Sequence, residues 1–503
     1  MILKRFYDDK LAQASYLVGC SATGEACVID PNRDIDPYIV TAAEEGLRIV
    51  AVTETHIHAD YVSGSRELGH RTGATLYLSD EGDADWKYAF ADEPNVRLVR
   101  HGATIRIGNV RLDVVKTPGH TPEHIAFVLT DEPATPLPLG AFTGDFVFVG
   151  DVGRPDLLER AAGFEGTMEA GARVLFESIQ RFKRDYPDTL LVWPAHGSGS
   201  ACGKALGGVP VSTLGYEKAS NWGLRSSGED SFVREVLSGQ PEPPAYFKEM
   251  KRINKVGPAI LGGFQRPPRM GAEAILTHLE DGSVIVDLRP SAEYQAAFIP
   301  GTINIPEDRS FSRWAGSLIP FDRAIYLIAG HEETAVEAVR DLAMIGLDRV
   351  EGWFGLETLQ AFEASGRHLE VVAQIETGEA LRRLETGDAF LLDVRGAAEV
   401  EEGRIPGSHH IALGTLPSRA GELPHDKLII VHCHAGGRSA IGASLLRALE
   451  PAARPRLHPA CEHARRLLGI RGPRACGRSL LKCAEPLRSE GLPGSASTEA
   501  HSR

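Results

Sequence analysis

The chain has 503 residues, enough for about two to four domains with separate cores. Its composition is 43% hydrophobic and 24% charged, as in a soluble globular protein, and a net charge of −14 argues against a nucleic-acid surface, which is normally basic. No apolar run approaches the roughly 18 residues that cross a bilayer, and Met1–Asp9 lacks the apolar core of a secretory signal, so a cytoplasmic location without a membrane partner is expected. Seven cysteines without paired spacing predict no disulfide framework. Cys20 and Cys27 lie in strand-like segments and read as core residues. Cys202 and Cys433 lie in Gly/Ser-rich loops, where thiols are more often chemical.

Residues 1–255 read as one α/β unit. Val28-Ile29-Asp30-Pro31 has the form of a buried strand ending in a turn. Asp36–Glu45 has helical spacing, Arg48–Thr53 is a strand, and Val62–Arg71 returns to helix. Further strands are expected over Val110–Val115, Ile125–Leu129 and Leu190–Trp193, each leading into a polar or glycine-rich loop.

Four of these strand ends carry metal-ligating residue types. Thr55-His56-Ile57-His58-Ala59-Asp60-Tyr61 follows the apolar run Ile49–Thr53 and packs two histidines and a carboxylate into one loop. Thr117-Pro118-Gly119-His120-Thr121, Phe142-Thr143-Gly144-Asp145 and Trp193-Pro194-Ala195-His196-Gly197 supply further ligands in the same way. A lone histidine is usually a satisfied polar group, but four such pieces in this order point to a metal centre. Together they resemble the metallo-β-lactamase superfamily, an αββα sandwich that carries His-x-His-x-Asp-His in the first loop. Tyr61 stands at the last position of that pattern. Tyrosine is a poor ligand for zinc, so a single metal is favoured.

Leu11-Ala12-Gln13-Ala14-Ser15-Tyr16-Leu17, Gly153-Arg154-Pro155-Asp156-Leu157 and Pro194-Ala195-His196-Gly197 narrow the resemblance to persulfide dioxygenases, a branch close to glyoxalase II. Carried over position by position, the resemblance puts the iron ligands on His56, His120 and Asp145, with one Fe(2+) per chain. Two histidines and one carboxylate leave three open positions, which suits non-haem Fe(II) and O2. The implied reaction oxidises a low-molecular-weight persulfide, such as glutathione persulfide, to sulfite. His58, Asp60 and His196 are expected around the iron as orienting partners. Arg154 either contacts a carboxylate of a glutathione-like carrier or pairs internally with Asp156. Forms fused to rhodanese domains resemble this chain in carrying a thiol at the position of Cys202. Lys204 and the loop N–H groups are expected to lower its pKa, so that it hands sulfane sulfur to the iron. Two rival readings remain: a glyoxalase II-like thioester hydrolase, and a sulfur-carrier or scaffold protein with a vestigial metal site. A homo-oligomer is expected.

Beyond a linker at Lys255–Arg269, one pattern occurs twice. Ile285-Val286-Asp287-Leu288-Arg289 precedes Ile299-Pro300-Gly301, and Leu392-Asp393-Val394-Arg395 precedes Ile405-Pro406-Gly407. These repeats resemble rhodanese domains, small parallel α/β units that handle sulfane sulfur, expected over residues 270–367 and 372–450. In the second, Cys433-His434-Ala435-Gly436-Gly437-Arg438-Ser439 forms a loop in which N–H groups can ring a thiolate and Arg438 closes the ring. Cys433 is therefore the expected sulfur-transfer nucleophile, plausibly joining sulfur to sulfite as thiosulfate. The first repeat has Gly330-His331-Glu332-Glu333 at the same place and cannot form a cysteine persulfide, so it is expected to be a spacer or docking module. Residues 451–503 break the pattern, with ten Lys/Arg against four acids and three of the cysteines, Cys461, Cys476 and Cys483. A frameshifted or otherwise altered terminus is the favoured reading of this basic tail.

Overall fold

The computed structural model describes residues 1–160 and 166–449. The basic tail and its three cysteines lie outside the described residues. Two six-stranded sheets form the centre of the first unit. One is ordered Ile2–Asp8, Gln13–Cys20, Glu25–Ile29, Arg48–Thr53, Thr75–Ser79, Val96–Val99, antiparallel at its start and parallel from Glu25 onward. The other runs Ser212–Thr213, Leu191–Pro194, Gly140–Gly144, Ile125–Asp131, Val110–Lys116, Thr104–Ile107.

Alternation along these strands divides the side chains between two faces. Tyr16, Val18, Ile29, Ala51, Leu112, Phe127 and Phe142 meet between the sheets. The opposite face of the first sheet, through Leu17, Val28 and Val52, packs on Tyr38 and Ala42 of the helix Asp36–Glu44 and on Leu68 of Ser65–Thr72. The second sheet packs outward on Leu175 and Ile179 of Met168–Asp185 and on Phe232 and Val236 of Glu229–Leu237. The result is the αββα sandwich that the motifs implied.

The helix expected over Val62–Arg71 starts later, at Ser65. The preceding amides are already engaged, Val62 N–H to the Met344 carbonyl at 2.8 Å and Ser63 N–H to Asn254 Oδ1 at 2.9 Å. Tertiary partners outcompete the first helical turn there.

The two repeats fold alike. The first has four parallel strands ordered Ile303–Asn304, Val284–Asp287, Ile325–Ile328, Val350–Phe354. The second has, among the described residues, His409–His410, Ala389–Asp393 and Leu428–His432, also parallel. Its Gly437–Leu449 helix packs on the edge strand of the first repeat, where Ser444 Oγ accepts the Asn304 N–H at 3.0 Å.

The repeat without a cysteine is clamped to the metal-type unit by charge. Lys10 reaches Glu307, Glu337 at 2.9 Å and Asp341 at 2.5 Å. Arg33 grips both oxygens of Asp348, at 2.6 and 2.9 Å, and donates to the Ala343 carbonyl at 3.0 Å. Arg340 returns the contact to Asp8 at 2.9 Å and Asp34 at 2.7 Å. Apolar burial continues across this boundary, joining Leu11, Tyr61, Val62 and Met250 to Met344, Ile345 and Leu347.

Removing one partner from a largely buried charge cluster costs more than the cluster contributes net. Lys10→Met should therefore cost about 3 kcal/mol of stability, because it leaves Glu307 and Asp341 facing each other. Urea unfolding of the full chain checks this, and a loss below about 1 kcal/mol refutes the clamp. The same cluster gives a pH signature. Burial pushes Glu307 up to about 7, with Asp341 adding to the shift and Lys10 opposing it. An acid with a raised folded-state pKa binds more protons folded than unfolded, so stability falls as pH rises from about 4.5 through 7. The Tm difference between Glu307→Gln and the parent should therefore move in the variant's favour from pH 5 to 7.5, which differential scanning calorimetry reads.

Candidate metal centre

The four loops converge at one edge of the sandwich. His56, His120 and Asp145 bring one ligand atom each to within 4.8 Å of one another, and all three are buried. Asp145 Oδ2 lies 3.6 Å from His120 Nε2 and 4.0 Å from His56 Nε2.

The histidines are held by their other nitrogens, which fixes where each lone pair points. His120 donates Nδ1–H to the Arg154 carbonyl at 3.0 Å. His196 donates Nδ1–H to the Ala12 carbonyl at 3.1 Å. His56 Nδ1 is 3.0 Å from the Thr55 hydroxyl, which in turn donates to Asp30 at 2.9 Å. The Thr55 N–H reaches the other oxygen of Asp30 at 2.6 Å. Two of these anchoring residues carry backbone strain: Ala12 and Asp30 each have a φ of 50° without being glycine. At Gly153 even a Cβ is excluded, since it would fall 1.8 Å from the Asp145 carbonyl oxygen.

Asp145 and Asp60 differ in charge preference. Burial alone would raise Asp145, but the neighbouring His196, His120 and His58 rings outweigh it and hold the carboxyl below its usual range. Burial, reinforced by Asp145, raises Asp60. Burial and the other imidazoles push His56 down, and burial pushes His120 down against the opposing pull of Asp145, which favours the neutral form that ligates metal. Both oxygens of Asp145 lack a hydrogen-bond partner among the described residues. Two imidazole lone pairs directed at an unsatisfied buried carboxylate fit a divalent cation such as iron.

The remaining expected residues divide. His58 is turned away from Asp145 and lies 3.2 Å from Asp30. Burial disfavours its charge, yet Asp30, Glu54 and Asp60 together push its pKa up to about 9. It meets His56 ring to ring at 4.2 Å between centroids and is also linked to it through Asp30 and Thr55. Asp60 and His196 face the centre, with His196 Nε2 at 3.3 Å from both Asp60 Oδ2 and Asp145 Oδ1. Arg154 is fully buried, bidentate on Asp156 at 2.8 and 2.7 Å, and donates to the Ala201 carbonyl at 2.9 Å. Its fork is fully used inside the protein, which leaves none of it for a carrier's carboxylate.

The expectation for Cys202 needs correction. Its thiol is buried between Asp145 and Asp60, and burial together with both carboxylates drives its pKa well up. Lys204 does not face it: the ammonium donates to the Glu235 and Ser238 carbonyls at 2.5 and 3.3 Å and lies over Trp222. The loop amides of Lys204 and Ala205 are taken by Asp151, at 2.8 and 2.7 Å.

Several contributors were not foreseen. His124 accepts the Asp145 N–H at 3.1 Å and meets the Thr117 hydroxyl at 2.8 Å, so both nitrogens are occupied. Its spacing of four residues from His120 was the available signal. Glu123 accepts the Ile57 N–H at 2.9 Å, and Asn254 donates to the His58 and Tyr61 carbonyls at 2.8 and 2.7 Å. Asn254 sits almost two hundred residues from the loop it secures, with no local motif to mark it.

The second candidate site is the loop after the strand Leu428–His432. Cys433 Sγ accepts N–H groups from Gly436 at 3.1 Å and Ser439 at 3.3 Å, and approaches the Ser439 hydroxyl at 3.4 Å. Arg438 pairs with Glu399, with Nη2 to Oε1 at 2.8 Å, and pins the loop to the neighbouring helix Ala397–Glu402. That pair holds Glu399 down at about 2. The equivalent turn of the first repeat has no thiol, and its Glu332 pairs with Arg266 at 2.7 Å.

Comparison with known proteins places these sites in context. Residues 8–196 match the family described as the metallo-beta-lactamase superfamily, and residues 271–351 and 376–457 match the rhodanese-like domain. A solved metallo-beta-lactamase from Staphylococcus aureus subsp. aureus COL is 42% identical, with 71% of this chain and 99% of that chain covered and a TM-score of 0.63. The mitochondrial persulfide dioxygenase ETHE1 of Bos taurus is 27% identical over 274 residues, 53% of this chain and 91% of its own length. A hydroxyacylglutathione hydrolase of Hyphomonas neptunium is 33% identical over 181 residues, 36% of this chain and 60% of its own length. Among the described residues, no helix is long and apolar enough to cross a membrane.

Arg154 secures both the His120 ring and the Cys202 loop. Arg154→Met should therefore lower affinity for a divalent metal ion by about 10- to 100-fold in protein that keeps its circular dichroism spectrum. An anaerobic chelator competition measures this, and unchanged affinity refutes the positioning role.

Proposed function

We propose that this chain, which belongs to the metallo-β-lactamase superfamily and carries two rhodanese-like domains, is an iron-dependent persulfide dioxygenase coupled to sulfur transfer at Cys433. The observation that carries the reading is the donor set: two imidazoles and one carboxylate, His56, His120 and Asp145, within 4.8 Å and buried. That set leaves half of an octahedron open, as chemistry with two exogenous partners requires. Iron held there would supply the redox chemistry that joins O2 to sulfur. The similarity to persulfide dioxygenase over more than half of the chain supports the same reading.

The balance is R-S-SH + O2 + H2O → R-SH + SO3²⁻ + 2 H⁺. The protein's own contributions are positional. Thr55 with Asp30, and the Arg154 carbonyl, hold the His56 and His120 rings so that their lone pairs converge. Phe148, Tyr246, Leu11 and Leu157 form apolar walls around the loops and limit water.

The Cys433 thiolate then attacks the outer sulfur of a second R-S-SH, breaking its S–S bond and releasing R-SH, and the resulting Cys-S-S⁻ is cradled by the Gly436 and Ser439 amides. Attack of sulfite on the outer sulfur breaks the S–S bond, releases thiosulfate and returns the Cys433 thiolate. Tethering raises the local sulfite concentration seen by this loop. The likeness to hydroxyacylglutathione hydrolase supports thioester hydrolysis as the rival, with the same imidazoles serving a bound hydroxide.

Anaerobically iron-loaded protein given glutathione persulfide should consume O2, and His120→Ala should abolish uptake. Cys433→Ser should leave O2 uptake within about twofold of the parent while thiosulfate formation is lost and sulfite accumulates. Thioester turnover without O2 uptake would overturn the reading in favour of the hydrolase.

A further inference from the structure

The arginines that frame the Cys433 loop are spent on carboxylates. Arg438 pairs with Glu399 at 2.8 Å, and Arg395 with Asp393 at 2.7 Å. Arg313, from the helix Phe311–Leu318 of the cysteine-less repeat, is not. Among the described residues its guanidinium makes no hydrogen bond or ion pair, and it stands 5.2 Å from the ring centroid of its neighbour Trp314.

The packing of that helix places Arg313 where three domains meet. On one face, a Cβ added to Gly316 would fall 2.8 Å from the ring of Tyr246, which belongs to the metal-type unit. On another, Ser317 lies 3.8 Å from where a Cβ on Gly414 of the second repeat would stand. Arg313 precedes Ser317 by four residues, one turn of helix, and so shares the face turned to the second repeat; the Ser317 hydroxyl donates to its carbonyl at 2.8 Å. Phe311, Ala315 and Leu318 fill the space between, in one apolar cluster with Tyr246, Leu413 and Leu416, and Cys433 packs against that cluster.

The charges around this side chain agree with its place. Arg313 is open to water, yet the protein around it lowers its pKa; Tyr246 and Glu399 oppose that shift, and Arg438 adds to it. Arg438 is held chiefly by Glu399 and also feels Cys433. Arg438 is thus a common neighbour of Arg313 and Cys433. An unpaired cation beside a second cation, with protein replacing part of its water, is unfavourable until an anion joins it.

The chemistry at Cys433 requires such an anion to be held. Sulfur transfer brings together two species of like charge, Cys-S-S⁻ and sulfite. The Gly436 and Ser439 amides serve the first, and Glu399 already balances Arg438. The loop's own guanidinium is therefore committed, while that of Arg313 is not.

We propose that Arg313 is the oxyanion-binding residue of the Cys433 site, contributed by the repeat that has no nucleophile, and that it holds sulfite for attack on the Cys433 persulfide. This rests on the sulfur-transfer reading above. Two parallel N–H groups of a guanidinium match two oxygens of sulfite and leave the lone pair on its sulfur free. The step is Cys-S-S⁻ + SO3²⁻ → Cys-S⁻ + S2O3²⁻. The sulfite lone pair forms a bond to the outer sulfur, the older S–S bond breaks, and its electron pair returns to Cys433 without transfer of a proton.

The test uses the metal-free full chain, charged anaerobically with glutathione persulfide, and follows single-turnover thiosulfate release against sulfite concentration. Arg313→Met should raise the half-saturating sulfite about tenfold and leave the maximal rate within about twofold, and Arg313→Lys should recover part of the loss. Calorimetric titration of the metal-free Cys433→Ser chain with sulfite, in which no transfer can occur, should show binding that Arg313→Met weakens about tenfold. Sulfite binding that is absent, or that is unchanged by Arg313→Met, overturns the proposal, as does an unchanged half-saturation. No thiosulfate from the parent chain counts instead against sulfur transfer at Cys433, and the calorimetric pair then decides on Arg313 alone.

Discussion

The constraint on which this molecule turns is the burial of lone pairs. At one edge of the sandwich Asp145, Asp60, His56, His120 and His196 place their acceptor atoms together, where water cannot serve them. Such a cluster is costly unless something positive compensates it, and it spreads apart unless the backbone forbids it. The backbone does forbid it. Ala12 and Asp30 adopt left-handed conformations without being glycine, and each spends that strain on orienting a histidine, Ala12 directly and Asp30 through Thr55. The strain is local, and it is offset by the packed sheets on either side.

The same constraint gives the domain without a nucleophile a purpose. The metal loop Thr55–Tyr61 runs into Val62, whose N–H is satisfied by the Met344 carbonyl of that domain. Asn254, from the helix Phe247–Val256, holds the carbonyls of His58 and Tyr61, and Met250 of that helix packs into the same apolar cluster as Met344 and Ile345. A loop stretched around buried ligands has amides and carbonyls to satisfy, and here part of the answer comes from a neighbouring domain. The first repeat has no cysteine in its turn, yet it presents a docking face where Lys10, Arg33 and Arg340 each meet carboxylates across the boundary.

The candidate ligands at strand ends were legible because local sequence writes them. A strand, a short turn and a histidine or aspartate can be read within six residues, and that pattern located His56, His120, Asp145 and His196. The tandem repeat, with Cys433 present in one copy and absent in the other, was legible for the same reason. What sequence did not reveal is which way a charge turns once folded. Lys204 follows Cys202 by two positions, yet its ammonium is drawn to helix-end carbonyls and Trp222, while Asp151, fifty residues earlier, claims the loop amides. Arg154 could have faced a ligand or Asp156, and the fully buried fork settled on the acid beside it. Asp30 and Asn254 are unremarkable in sequence, because their partners are set by long-range packing and not by periodicity.

The two loop cysteines illustrate how surroundings divide one functional group between two chemistries. Cys433 is half-buried at the start of a turn whose Gly436 and Ser439 amides point at its sulfur, with Arg438 and Glu399 fixing the frame. Donors converging on sulfur suit an added sulfane anion. Cys202 is fully buried with two carboxylates for neighbours and the nearest amides already claimed by Asp151. Acceptors converging on sulfur oppose a free thiolate. The chain thus sets its two loop cysteines in opposite surroundings, amide donors around Cys433 and carboxylates around Cys202. The sign of the charge around each sulfur, more than its exposure, sets the difference.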